Sequence, residues 1–149
     1  MESGFLLPDV EEPHSAPFWA GCARGELLVQ LCADCGLWAH PPRPMCPRCR
    51  STNRTWQATS GNGRVWSYVV PHPPLLPAYA ALAPYNVIVV ELEENPKIRY
   101  VGNLVASPDG AINELDPHSI EIGELVRVVF HDVDTGDGDR VALPRWMRR

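Results

Sequence analysis

The stretch "CADCGLWAHPPRPMCPRC", residues 32–49, holds four of the chain's five cysteines in two C-x-x-C pairs separated by ten residues. A C-x-x-C hairpin presents two sulfurs on one side of a tight turn, and two such hairpins close a four-coordinate site for a soft dication. Cys32, Cys35, Cys46 and Cys49 are therefore the candidate metal ligands, with zinc the expected metal. Gly36 follows the first pair, where a knuckle turn commonly needs a positive φ, while Arg50 occupies the matching place after the second. An all-cysteine set leaves no position open for water or substrate, so the metal is expected to hold shape and not to catalyse. A redox dithiol would need a thiol at a helix N-terminus in a βαβ setting, which neither pair has.

The surroundings favour the same reading. The segment "MESGFLLPDVEEPHS" is acidic and lacks a basic region followed by an apolar one, so it does not read as a signal peptide. A cytosolic chain is expected, where thiols stay reduced and disulfides are the least favoured use of the cysteines. With 45% hydrophobic and 21% charged residues and no long apolar run, the 149-residue chain reads as a soluble globular protein. The net charge of −5 is unevenly spread. Residues 24–64 carry Arg24, Arg43, Arg48, Arg50, Arg54 and Arg64 against Glu26 and Asp34 and form the only basic segment. Four thiolates on zinc would reduce that excess to about +2, less than a surface neutralising several phosphates usually needs.

Outward from the cysteines, "SAPFWAGCARG" reads as a short helix with Ser15 as N-cap, Pro17 in the first turn and Gly25 as the stop. Phe18, Trp19 and Cys22 share its apolar face, Cys22 as a small core residue. "ELLVQL", residues 26–31, leads into the first pair as a strand, and "TWQATSGNGRVWSYVVP" contains a return strand, a turn at residues 60–63 and a second strand. From residue 64 the pattern is all-β, with expected strands at 64–70, 85–93, 98–105, 125–133 and 140–146. Five strands in about 85 residues fit an OB-fold barrel, with a short helix at most in the long third connection, 106–124. The expected architecture is mainly β: an N-terminal tail and short helix (1–25), a zinc ribbon (26–59) and an OB-fold domain (60–149).

No set of residues reads as catalytic. The five histidines are scattered, Ser107 and Ser119 read as turn or capping residues, and "TGDGD" at 135–139 lacks the rest of a calcium-loop pattern. The loop "PHPPLLPAYAALAP", residues 71–84, is excluded from a sheet by its five prolines, and its apolar residues must fold back on the core or be covered by a partner.

The run "FWAGCARGELLVQLCADCG" followed by "CPRC", "GRVWSYVV", "PYNVIVVEL" and "IGELVRVVF" resembles domain-of-unknown-function family 35 over roughly residues 14–146. That resemblance implies a short helix, a rubredoxin-like zinc ribbon ligated by Cys32, Cys35, Cys46 and Cys49, and a C-terminal OB-fold. It further implies a non-catalytic subunit that binds a thiolase, a ketosynthase-like enzyme or a lipid-transfer-protein-type aldolase and helps it act on acyl-CoA. Retro-aldol cleavage of a steroid side-chain acyl-CoA, or Claisen-type acyl transfer, would be the reaction of such a hetero-oligomer.

Candidate partner contacts are Phe18, Trp19, Leu75, Leu76, Tyr79, Tyr85 and Trp146, with packing between ribbon and barrel as the competing role of Phe18, Trp19 and Trp146. Arg43, Arg48 and Arg50 are candidates for the phosphates of coenzyme A, since guanidinium forks suit phosphate. The alternative is a single-stranded nucleic-acid binder that stacks bases on Trp66, Tyr68 and Tyr100.

Overall fold

The computed structural model describes residues 5–149, so the first four residues of the expected tail lie outside the described residues. Helix α1 (Ala16–Ala23) carries Pro17 in its first turn, and Gly25 follows it with φ +79°. The expected Ser15 side-chain cap is not made: the Ser15 hydroxyl accepts nothing from the helix and instead donates to Glu12 Oε2 at 2.8 Å. Glu12 also receives the backbone N–H groups of His14 and Ser15, and these bonds, that of His14 foremost, pull its carboxyl below the usual range.

The ribbon consists of β1 (Leu28–Cys32), β2 (Trp38–Ala39) and β3 (Arg54–Ala58) in an antiparallel sheet ordered β2-β1-β3. The barrel follows as β4 (Asn62–Val69), β5 (Val87–Leu92), β6 (Arg99–Gly102), β7 (Leu125–Asp134) and β8 (Arg140–Arg148), ordered β6-β5-β4-β7-β8. β3 and β4 do not pair with each other. β3 pairs with β1 and β4 with β5 and β7, so residues 59–61 are the crossing from one sheet to the other and the expected turn at 60–63 is not a hairpin turn.

Alternation along β5 sends Ile88, Val90 and Leu92 inward and Val87, Val89 and Glu91 outward. Opposite them Gly63 is required by close approach, because an added Cβ would lie 2.5 Å from the Glu91 carbonyl oxygen. The barrel nearly closes where residues 103–105 run parallel to β8: Trp146 N–H donates to Asn103 O at 3.0 Å and Val105 N–H to Trp146 O at 2.8 Å. β6 therefore ends at Gly102, earlier than expected, as the chain leaves β5 to meet β8. Fully buried Asn86 fixes that departure by bonding both the carbonyl and the N–H of Leu104, at 2.9 and 2.7 Å. The connection 106–124 holds only a 3₁₀ turn, Pro117–Ser119, capped by the Asp116 carboxylate. The proline-rich loop contributes the four-residue α2 (Pro77–Ala80). Among the described residues no helix is long and apolar enough to cross a membrane.

One core serves both sheets. Phe18 and Cys22 of α1 and Leu27 and Val29 of the ribbon join Val65, Ile88, Val90, Tyr100 and Trp146 of the barrel. Burial pushes the Cys22 thiol up to about 12, as befits a packed thiol. Tyr100 is the hinge of the joint: its hydroxyl donates to Leu28 O at 3.2 Å, and its ring lies 4.1 Å from His40 and 6.2 Å from Trp146.

Burial among these rings pulls His40 down to about 4, so the folded protein keeps it neutral. Between that value and the ordinary 6.5 the unfolded chain binds the proton and the folded chain does not, so stability is full above 6.5 and is lost as pH falls toward 4. Urea unfolding at pH 7 and at pH 4 is expected to show a larger loss for the wild type than for His40→Leu, by about 3 kcal/mol. Equal losses would mean that His40 is not held neutral by its surroundings.

Candidate metal centre and adjoining surfaces

The two cysteine knuckles are built alike. Cys32 lies at the end of β1, and its carbonyl accepts Gly36 N–H at 2.9 Å; the carbonyl of Cys46 accepts Arg50 N–H at the same distance. Gly36 has φ +77° and Arg50 φ +64°, so Arg50 adopts the left-handed conformation that glycine would supply and the two turns superpose in kind. Side chains tie one knuckle to the other. Asp34 Oδ2 accepts the Ser51 hydroxyl and, at 3.1 Å, Asn53 Nδ2, while Ala33 N–H donates to Asn53 O at 2.9 Å. These partners follow no sequence motif and were not anticipated.

The four sulfurs lie within 4.8 Å of one another, with Cys32–Cys49 and Cys35–Cys46 each at 3.6 Å. A metal bound by four thiolates at about 2.3 Å would have sulfurs about 3.8 Å apart, so the cluster fits a tetrahedral thiolate site. The knuckle amides prepare it. The Cys49 N–H foremost, then that of Arg48, pulls the Cys46 thiol down to about 6, and the Cys35 N–H lowers Cys32. At Cys49 the Ser51 N–H favours the thiolate, but desolvation and the three neighbouring sulfurs outweigh it and push the thiol up to about 12. Four negative sulfurs at such spacing repel, and a dication is what lets all of them ionise.

Two recesses flank the ribbon–barrel joint. A polar one, of about 550 Å³, lies between β2, the second knuckle and the β5–β6 turn, with Trp38, His40, Arg43, Arg48, Asn95 and Lys97 on its walls. The structure thus brings Arg43 and Arg48 together, leaves Arg50 out, and adds Lys97, which lies 49 residues beyond Arg48 in sequence. An apolar cleft of about 590 Å³ runs along the β6–β8 seam, walled by Trp19, Tyr79, Leu82, Val101, Ile112 and Leu143 and by residues 5–7. Phe5 meets the Tyr79 ring edge-on at 4.8 Å.

The expected contact residues divide. Phe18 (5% exposed), Tyr85 (6%) and Trp146 (1%) are enclosed by this chain and present nothing to a partner; packing is their role. Trp19, Leu75 and Tyr79 are half-buried, and Leu76 is 52% exposed. Of the rings considered for base stacking, Tyr100 is buried, Tyr68 packs partly against the core, and exposed Trp66 carries the Arg99 guanidinium 3.7 Å over its ring.

With this geometry in view, comparison with known proteins is direct. Residues 19–53 match the family described as "ChsH2, rubredoxin-like zinc ribbon domain", and residues 56–131 match "ChsH2, C-terminal OB-fold domain". The chain belongs to the ChsH2-type DUF35 family. It is 39% identical over 118 residues to the probable enoyl-CoA hydratase alpha subunit of Thermomonospora curvata, covering 78% of this chain but only 33% of that protein. It is 37% identical over 111 residues to the DUF35 domain-containing scaffold protein of Methanothermobacter thermautotrophicus, covering 74% of this chain and 75% of that one. Among solved structures, a chain of the Ltp2-ChsH2(DUF35) aldolase aligns with a TM-score of 0.76 at 32% identity, covering 95% of this chain and 98% of that one. The chain thus spans about a third of the length of the hydratase alpha subunit and nearly all of the aldolase chain.

Cys46→Ser is expected to abolish metal binding, read by atomic emission on the purified protein, and Cys22→Ser to leave the metal content unchanged. Retention of metal by Cys46→Ser would remove that residue from the ligand set.

Proposed function

We infer that this chain is a non-catalytic subunit that binds and supports a thiolase-fold enzyme, either a lipid-transfer-protein-type aldolase or a thiolase, acting on acyl-CoA in the cytosol. The observation that carries this reading is the likeness, along 95% of the chain, to a subunit of the Ltp2-ChsH2(DUF35) aldolase. Retro-aldol cleavage of a steroid side-chain acyl-CoA is the reaction that this likeness favours. The likeness to an enoyl-CoA hydratase alpha subunit supports acyl-CoA as the substrate class.

The physical features agree. The apolar cleft on the β6–β8 seam borders exposed Leu6 (73%) and Val101 (67%), and Leu76 follows on the proline-rich loop that supplies Tyr79 and Leu82 to the same cleft. Apolar side chains this exposed on an acidic chain suit a protein interface. The cysteine cluster holds zinc as a structural ion: an all-thiolate set suits it, and the ion fixes the ribbon on the barrel while taking no part in the partner's chemistry.

Co-expression with a thiolase-fold enzyme of the lipid-transfer-protein type from the same genome, followed by gel filtration, is expected to give one complex. The double variant Leu76→Asp, Val101→Asp changes only exposed positions and is expected to weaken that complex by at least about tenfold while leaving the chain folded. Two separate peaks for the wild-type pair would overturn the reading.

A further inference from the structure

The polar recess between ribbon and barrel is not explained by a role in docking through the apolar cleft. It gathers Arg43, Arg48 and Lys97 in a chain whose net charge is −5, and no carboxylate is among its lining residues. Five arginines elsewhere are neutralised: Arg24, Arg64, Arg140, Arg148 and Arg149 each face a carboxylate within 4.0 Å. Among the described residues, Arg43, Arg48 and Lys97 form no ion pair at all. A fourth positive charge stands behind them. Gln30 Oε1, 3% exposed as a residue, accepts Arg43 N–H at 2.8 Å and also accepts Arg54 Nη2, while Arg54 Nε and Nη1 are buried without a partner.

Convergent, uncompensated cations raise the local potential and attract an anion of matching charge. Three of them suit a ligand with two or more phosphate groups, a terminal one of which carries about −1.5 to −2 at neutral pH. The recess, at about 550 Å³, also exceeds what a single phosphate would occupy and falls among small-molecule sites. Its remaining walls supply the rest of a nucleotide's needs: the Trp38 indole for a base and the Asn95 amide for a sugar or base edge. Arg43 and Lys97 reach it from different elements, so the site exists only when the ribbon sits on the barrel.

We propose that the recess bounded by Trp38, Arg43, Arg48, Asn95 and Lys97 is a binding site for a nucleotide bearing two or more phosphates. It belongs to this chain alone. Under the function inferred above, which this proposal deepens, the nucleotide end of an acyl-CoA has the required chemistry.

Calorimetric titration of the purified full chain with adenosine 3′,5′-bisphosphate and with inorganic phosphate tests this without any partner. The bisphosphate is expected to bind more tightly than phosphate, and more weakly as salt is raised. Each of Arg43→Ala, Arg48→Ala and Lys97→Ala is expected to weaken it by about tenfold, and Arg50→Ala to leave it unchanged. Trp38→Leu is expected to weaken the bisphosphate but not phosphate. Metal content and circular dichroism check that the variants fold. Equal affinity for bisphosphate and phosphate, or insensitivity to all three substitutions, overturns the proposal. So does a triple variant that still binds the bisphosphate but no longer binds the thiolase-fold enzyme, which would make the recess a contact for an acidic protein surface. Loss of the complex in Leu76→Asp, Val101→Asp bears on the docking reading and not on this site.

Discussion

Four sulfurs held within 4.8 Å of one another are the constraint on which the rest depends. Cys46 ionises readily at about 6, whereas Cys49, with three sulfur neighbours, resists until about 12, so the cluster is not four thiolates without a cation at its centre. β2 is only two residues long, and such a strand has too few bonds to hold itself. The two cysteine knuckles, at residues 32–36 and 46–50, stand on either side of it in sequence. The same fold places Trp38 at the polar recess and His40 over Tyr100, and packs Leu27 and Val29 with the barrel core.

The barrel meets the ribbon with the same economy of elements. Trp146 is in the last strand, yet its backbone closes the sheet on residues 103–105 and its ring lies beside Tyr100, against the underside of the joint. Asn86 answers a backbone demand that a side chain of any other shape would leave open, because Leu104 has departed from β5 and its N–H and carbonyl have no strand partner. Burial of Phe18 and Cys22 with these residues makes α1, ribbon and barrel one cooperative core, although they arise from segments with different periodicities.

What the sequence made legible was local. Paired C-x-x-C spacing identified the thiol cluster, and alternation with turn signals placed all five barrel strands to within a few residues. What it hid was relational. Phe18 and Trp146 look the same in sequence whether an aromatic faces solvent or a neighbouring layer, and only the meeting of α1 with β8 and Tyr100 decides. Ser15 has the right composition for a cap, but Glu12 claims its hydroxyl. Arg50 occupies a conformation that composition assigns to glycine. Lys97 joins Arg43 and Arg48 through a turn that carries no motif, while Arg50, their neighbour in sequence, points its chain elsewhere.

The placement of uncompensated charge also explains why an OB barrel here does not read as a strand-tracking nucleic-acid binder. The outward face of β5 and β6 presents Val87, Val89 and Val101, and the cations on or beside it are engaged: Arg64 lies 3.7 Å from Glu91, and Arg99 lies over Trp66. Tracking a polyanion needs a continuous run of free positive charge along the sheet. In this chain Arg43, Arg48 and Lys97 are gathered into one bounded recess at the ribbon, while the apolar surface lies along the β6–β8 seam. A discrete anion and a protein surface can therefore be engaged at the same time on separate faces. The joint through His40 and Tyr100 is the rigid element that would keep their separation fixed.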